Sequence, residues 1–463
     1  MHIIAIGGSD AGISAALRAR ELEPATEVTV VVADAYPNFS ICGIPYYVSG
    51  EVTHWRNLAH RTIADLEATG MGLRLDTVAR RIDVEGRKLA GTGTNGDEEL
   101  LSYDELVVGT GAVPVRPPID GLTGPDAVGA DGGVHLLHSM GDTFAVMRTL
   151  EERSPASALI VGAGYIGLEM AEALVARGLN VVQMEQLPEV LPTVDPALGT
   201  LVHAQLADHG VDVLTGTTVR SIARAPNGDA GRLRVQATTA DGQDVARSVD
   251  MVLVVVGVRP DTELAASAGA SLGPRGAIAV DRHMRTNLPH VFAAGDCVVT
   301  HHRLVGTTYL PLGTTAHKQG RVAGENALGG DREFAGSLGT QVVKIFEHAV
   351  ARTGLRDHEA AAGGYHPLTV AAEADDHKAY YPASHRMAMR YTGDRKNGRL
   401  LGVQLFGHRH SEIAKRVDIV AAAIFNEMTV EAMSDLDLSY TPPLGSPWDA
   451  MQVGAQAWAR ANR

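Results

Sequence analysis

The stretch "ALIVGAGYIGLEMAEALVARGLNVVQME", residues 158 to 185, decides the fold. Ala158 to Val161 read as a buried strand, and Gly162, Gly164 and Gly167 then fall in the full G-x-G-x-x-G spacing. Tyr165 and Ile166 lie where that turn becomes a helix, which carries Glu169 and closely packing alanines. A second strand ends at Glu185, where a carboxylate could accept from both hydroxyls of a ribose. Glycines let the backbone approach a pyrophosphate, and the helix N-terminus favours its charge. Gln186, Leu187 and Pro188 offer no cation for a 2′-phosphate, which favours NADH and leaves NADPH as the alternative.

The chain opens on a second copy, "HIIAIGGSDAGISAALRAREL" (2 to 22). Ile3 to Ile6 read as a buried parallel strand and Ile13 to Leu22 as a helix. Gly7, Gly8, Ser9, Ala11 and Gly12 form the phosphate turn between them, with Ser9 in place of the middle glycine. The ribose-binding acid is expected about 20 residues on. Val32 stands there, and the nearest acid is Asp34. One such motif could belong to a layered α/β domain that binds nothing. Two of them, some 155 residues apart, imply two dinucleotides or an electron relay between them. A nicotinamide donates hydride, and a flavin accepts it and hands on electrons.

The chain has 463 residues, enough for two to four domains. Its net charge of −14, from 40 Lys and Arg against 54 Asp and Glu, argues against a nucleic-acid partner. No apolar run reaches bilayer length, so no membrane span is expected. The opening "MHIIAIGG" lacks the parts of a signal peptide. The two cysteines, Cys42 and Cys297, are far apart and suggest a reducing cytoplasm without a disulfide framework.

Further segments fit one family. They are "YPNFSICGIPYYVSG" (36 to 50), "YDELVVGTGAVPVRPPIDG" (103 to 121), "DMVLVVVGVRPDTELA" (250 to 265), "MRTNLPHVFAAGDCV" (284 to 298), "LPLGTTAHKQGRVAGENALGG" (310 to 330) and "GTQVVKIFEHAVARTGL" (339 to 355). In this order they resemble the pyridine nucleotide–disulfide oxidoreductase superfamily. "NFSICGIPYY" and "DLSYTPPLGSPWD" (437 to 449) resemble its single-cysteine branch of coenzyme A disulfide reductases, NADH oxidases, NADH peroxidases and persulfide reductases. The resemblance implies an α/β fold with two Rossmann-like domains and a C-terminal α+β dimerisation domain. FAD would be held by 1–112 and 256–328, and NAD(P)H by 150–255. Residues 335–463 would form the homodimer interface, with strands near 385–391 and 400–407 and two helices. The flavin side would add Ala79, Thr110, Gly111, Gly257, Gly295, Asp296 (on the ribityl chain), Thr314, Thr315 and Ala316 to the first turn and Asp34. Tyr165 would gate the nicotinamide side, with Glu169 behind it.

With one cysteine in that loop, two chemistries remain. Cys42 can form a mixed disulfide with a small thiol, or cycle through a sulfenic acid. Both need a thiolate, and a helix starting just after Cys42, with Pro45 in its first turn, would favour one. Cys297 reads as a small buried hydrophobe. Oxidase and peroxidase relatives carry a histidine where this chain has Asp10, which lowers those readings. Coenzyme A disulfide reductases use two tyrosines from the partner subunit. Tyr440 matches one, and Tyr381 or Tyr380 the other, giving an active site shared between chains. The alternative for each tyrosine is interface packing. His410 and Glu412 read as surface on a helix spanning 410 to 426, not as the acid–base pair of two-cysteine relatives. Arg18 and Arg20 read as solvated and mark no coenzyme A phosphate site with certainty. The chain ends soon after the interface domain, so any sulfur-transfer partner would be a separate protein. The expected reaction is NADH-dependent, FAD-mediated reduction of a small disulfide, persulfide or polysulfide. The rivals are an NADH oxidase and a flavoprotein redox sensor.

Overall fold

The computed structural model describes residues 1–94, 96–226 and 232–463. They form two compact units. The first comprises Met1–Val115, His138–Phe144 and Gly257–Ser337, the second Arg116–Leu137, Ala145–Val256 and Leu338–Arg463.

The first unit is built on the strand His2–Ile6, whose Ile3, Ile4 and Ala5 are fully buried. It pairs in parallel with Glu27–Val31 on one side and Glu105–Val108 on the other. Gly72–Arg74 and Val291–Ala293 extend the two edges, giving a parallel sheet of order 3-2-1-4-5 in chain sequence. Apolar residues on both faces of the central strand are what a sheet covered on both sides requires. The helix Asp10–Leu22 follows the first strand, and Gly313–Asn326 packs against it. A Cβ on Gly320 or Gly324 would stand 2.3 or 2.2 Å from the carbonyl oxygen of Ala11 or Ala15, so these helices meet backbone to backbone. A three-stranded antiparallel sheet (Thr77–Asp83, Lys88–Gly93, Glu98–Ser102) hangs from this layer.

The second unit repeats the plan. Ser157–Val161 pairs in parallel with Asn180–Met184 and Met251–Val254, with Asp212–Leu214 and Val134–Leu136 at the edges. A second antiparallel three-stranded sheet accompanies it. The repeat is plain in topology although the two sequences share little beyond the glycine turns.

The same unit holds the C-terminal layer. Its five-stranded antiparallel sheet runs Gln341–Ile345, His348–Gly354, Leu400–His408, Arg386–Asp394, Pro367–Asp375. The sequence reading gave only two of these strands. It also gave two helices where the described residues form four: Asp357–Ala362, Ile413–Phe425, Val430–Ser434 and Ala450–Ala461. Pro367–Asp375 escaped it because only Ala374 in it is buried, so it carries no apolar alternation. The helix expected from 410 starts at Ile413, after Glu412 with φ +52°, so His410 lies off the helix. Among the described residues, no helix is long and apolar enough to cross a membrane.

Candidate active site

The two glycine turns are nearly superposable in their constraints. Gly7 has φ +107° and Gly162 φ +103°, which only glycine adopts without strain. A Cβ on Gly12 would lie 2.1 Å from the Gly7 carbonyl oxygen, and one on Gly167 would lie 2.2 Å from that of Gly162. Gly8 packs under Val32, which is core. A ribose-binding acid at position 32 is therefore replaced by packing, and Asp34 lies half-buried two residues on, its Oδ1 accepting from the Tyr36 N–H at 2.9 Å. Glu185 is 7% exposed. Its two oxygens accept from the Ala163 N–H (2.8 Å) and the Leu187 N–H (2.9 Å), which holds the carboxylate over the turn. A Cβ on Gly164 or Gly257 would meet only open space. Tyr165 and Ile166 begin the helix Tyr165–Ala176, which also carries Glu169. The Tyr165 hydroxyl accepts from Thr193 Oγ1 at 3.2 Å, and burial raises its phenol.

Gln183 Oε1, Asn38 Oδ1 and Gln319 Nε2 are buried without a hydrogen-bond partner. Buried polar groups are rarely left so. Gln319 lies against the Gly295 turn, since its Oε1 accepts from the Gly295 N–H at 3.0 Å. Open glycine turns with unsatisfied amides beside them fit a bound dinucleotide in each unit.

Around the Gly295–Asp296 turn, burial pushes the Asp296 carboxyl up to about 6, the charge of Asp10 adding to it. Thr110 Oγ1 donates to the Asp261 carbonyl (2.5 Å), and Gly111 beside it has φ +73°. Thr314, Thr315 and Ala316 lie in the first turn of Gly313–Asn326, with Thr315 Oγ1 donating to Ser337 Oγ at 3.2 Å. Ala79 sits at a register break of the appended sheet. Cys297 is fully buried, and desolvation raises its thiol to about 11.

Cys42 is exposed, in a single 3-10 turn (Ile41–Gly43) that leads into the helix Ile44–Ser49, with Pro45 in its first turn. Its loop is tied down on both sides. The Asn38 N–H donates to the Gly8 carbonyl at 2.6 Å, and Phe39 bridges Ala59. Ser40 and His60 N–H groups donate to Leu58 and Asn38 carbonyls (2.8 and 2.9 Å). An aromatic cluster of Tyr36, Phe39, Trp55 and Phe144, with ring centroids 5.2 to 6.0 Å apart, braces the same loop. Sequence reasoning missed this cluster, because its members are scattered singly.

Asp10 has a partner that sequence reasoning did not find. Its Oδ1 lies 3.3 Å from His317 Nε2, and His317 Nδ1 lies 2.9 Å from Ser14 Oγ. Burial raises the Asp10 carboxyl, opposed by His317 and His60. Arg18 and Arg20 are corrections. Arg18 is 14% exposed and pairs with Glu325 at 2.6 Å, and Arg20 donates to the Thr69, Pro24 and Thr26 carbonyls. Neither is a fully solvated cation.

In the second unit desolvation and the neighbouring Tyr440 phenol raise the Tyr380 phenol. Tyr381 instead sets its ring against His377, 5.8 Å between centroids. All three tyrosines are exposed. Their loop is anchored by buried Asp376, which accepts from Ser411 Oγ at 2.6 Å, while Arg416 bridges the Asp376 carbonyl and Asp449. His410 joins a group of imidazoles through His408, which stacks on His385 at 4.0 Å.

Residues 1–320 match the family described as pyridine nucleotide-disulphide oxidoreductase, and 340–451 match its dimerisation domain. The chain belongs to this family. It is therefore an oxidoreductase, FAD-dependent and using NAD(P)H, and its dimerisation domain supports a homodimer acting on a small molecule. The NAD(P)H sulfur oxidoreductase (CoA-dependent) of Pyrococcus furiosus is 33% identical, over 98% of both chains. The NADH oxidase of Methanocaldococcus jannaschii is 30% identical, again over 98% of both. The solved NAD-dependent persulfide reductase of A. fulgidus superposes with a TM-score of 0.91 at 34% identity, covering all of this chain and 83% of that one.

Proposed function

We propose that this oxidoreductase reduces a small disulfide, persulfide or polysulfide through Cys42, with a coenzyme A disulfide or persulfide as the substrate class. The observation that carries the reading is one exposed thiol on a braced loop, with the chain's other cysteine buried. The sulfur oxidoreductase and persulfide reductase relatives support it.

FAD would lie along the Gly7–Gly12 turn, with Asp34, Thr110, Gly111, Gly295, Asp296 and the first turn of Gly313–Asn326 about it. NADH would lie on the Gly162–Gly167 turn, its ribose at Glu185, beside Tyr165. When bound, FAD supplies hydride acceptance from NADH and the electron pair for sulfur. The Cys42 thiolate attacks one sulfur of the substrate, forming a mixed disulfide as the substrate S–S bond breaks. The first thiol leaves as a thiolate and takes a proton from a phenol. Tyr440, with Tyr381 or Tyr380, would serve this step. Their exposure, together with that of Leu444 and Trp448 in the same domain, suits a surface completed by a second copy, so that the partner subunit supplies the pair. Only two cysteines, far apart in the chain, suit a reducing cytoplasm.

Anaerobic NADH consumption by the FAD-loaded enzyme tests the reading, first with coenzyme A disulfide and then with polysulfide. Rapid consumption that stops when the acceptor is exhausted is expected. Cys42→Ser should lower that turnover by more than about 100-fold while flavin bleaching by NADH persists. Consumption only after air is admitted would establish an oxidase instead, as in the Methanocaldococcus relative.

A further inference from the structure

Asp10, His60 and His317 come from three separate segments. They are the first turn of one helix, the strip paired with the Cys42 loop, and the start of the helix Gly313–Asn326. One ligand atom from each lies within 4.8 Å of the other two. His317 Nε2 and Asp10 Oδ1 are 3.3 Å apart. A tetrahedral ion with bonds near 2.0–2.1 Å holds its neighbouring ligand atoms at about this spacing, roughly 3.3–3.4 Å. The other nitrogen of His317 faces the Ser14 hydroxyl at 2.9 Å. With the proton on Nδ1, directed at Ser14, the Nε2 lone pair points at the cluster. Metal-binding histidines are oriented by just such outer hydrogen bonds. His60 is exposed, so its ring can close the remaining gap, while its backbone is fixed by the hydrogen bond to Asn38. Two imidazoles with one carboxylate suit a borderline transition ion better than Mg2+ or Ca2+, which favour all-oxygen shells.

We propose that Asp10, His60 and His317 bind one borderline divalent cation of the Zn2+ class, with a coordination position left open to solvent. The site neighbours the thiol loop, because His60 and Asn38 are hydrogen-bonded partners. It does not depend on which sulfur compound Cys42 reduces, since binding is read directly.

The test is titration of chelator-stripped, FAD-loaded enzyme with Zn2+ against a chromogenic chelator. One ion per chain at about 10 µM or tighter is expected. His60→Ala and His317→Ala should each weaken binding more than tenfold, and Ser14→Ala should weaken it measurably. Cys42→Ser should bind within about threefold of the unaltered enzyme. His60 is exposed, so its variant keeps the fold and a loss there reports on ligation. Absence of a stoichiometric ion, unchanged affinity in His60→Ala, or loss confined to Cys42→Ser would each overturn the site.

Discussion

The segments that follow the second strand of each parallel sheet occupy the same topological place and are used differently. In the first unit that segment runs from Val32 to His60 and presents Cys42 to solvent, held by backbone pairing and four aromatic rings. In the second unit it runs from Glu185 to Asp195 and is pinned by cations. Arg352 donates to the Thr193 carbonyl (2.7 Å), Arg356 to those of Pro192 and Val194 (2.7 and 3.1 Å), and Glu359 holds both guanidiniums. The glycine turns before these segments are interchangeable in geometry, so the frame leaves the crossover loop free to diverge. One copy carries the exposed Cys42 thiol and the other docks the C-terminal layer.

The sharpest way to break this equivalence is to add one methyl group to each turn. In Gly12→Ala and Gly167→Ala the new Cβ meets a carbonyl oxygen at 2.1 and 2.2 Å. Backbone cannot yield as a side chain can, so each turn must open. Gly12→Ala should release the flavin, with affinity down more than about 100-fold and the yellow colour lost on gel filtration. Gly167→Ala should stay yellow while its KM for NADH rises more than about tenfold. A colourless Gly167→Ala protein would show that the two units do not fold independently of one another's turns.

The acids sharpen the comparison further. Glu185→Gln should raise the NADH KM by about tenfold, near 1.4 kcal/mol, because it removes the charge that a ribose hydroxyl would meet. Asp34→Asn should weaken FAD by only about threefold, since Asp34 already serves the Tyr36 turn. Equilibrium binding checks both, and a thermal melt separates ligand loss from turn loosening. Equal effects would mean that the displaced acid of the first motif does the same work as Glu185.

The parallel sheets and their turns were legible because glycine spacing and buried apolar runs are local signals. Cys42 was legible for the same reason, as one odd residue in a patterned loop. Which of Tyr380 and Tyr381 partners Tyr440 was not, because adjacent residues in a turn point apart and only the tertiary path of the loop decides between them. The imidazoles beside Asp10 were not legible either, since His317 and His60 are distant from it in sequence. Arg18 and Arg20 followed the usual prior for helix arginines, but Glu325 and the carbonyls at 24, 26 and 69 lie where only folding brings them.

A stability effect, not a ligand affinity, tests the docking half of the comparison. Burial alone would raise Glu359, but Arg352 and Arg356 hold it down at about 2. Its pKa is thus lower folded than unfolded, so its stabilisation is fully present above the ordinary glutamate value of about 4.3 and is lost as pH falls from there toward 2. Glu359→Gln should therefore destabilise the protein at pH 7 by about 1–2 kcal/mol, less than the full shift because solvent screens the partly open carboxylate. The deficit against the unaltered protein should shrink steadily as melts are repeated from pH 5 to pH 3. The NADH KM should change less than about threefold, because Glu359 acts on the Pro192–Val194 carbonyls only through the two arginines. A deficit independent of pH would mean that packing, not charge, makes Glu359 matter. A large rise in KM would mean that the pinned segment shapes the nucleotide site directly.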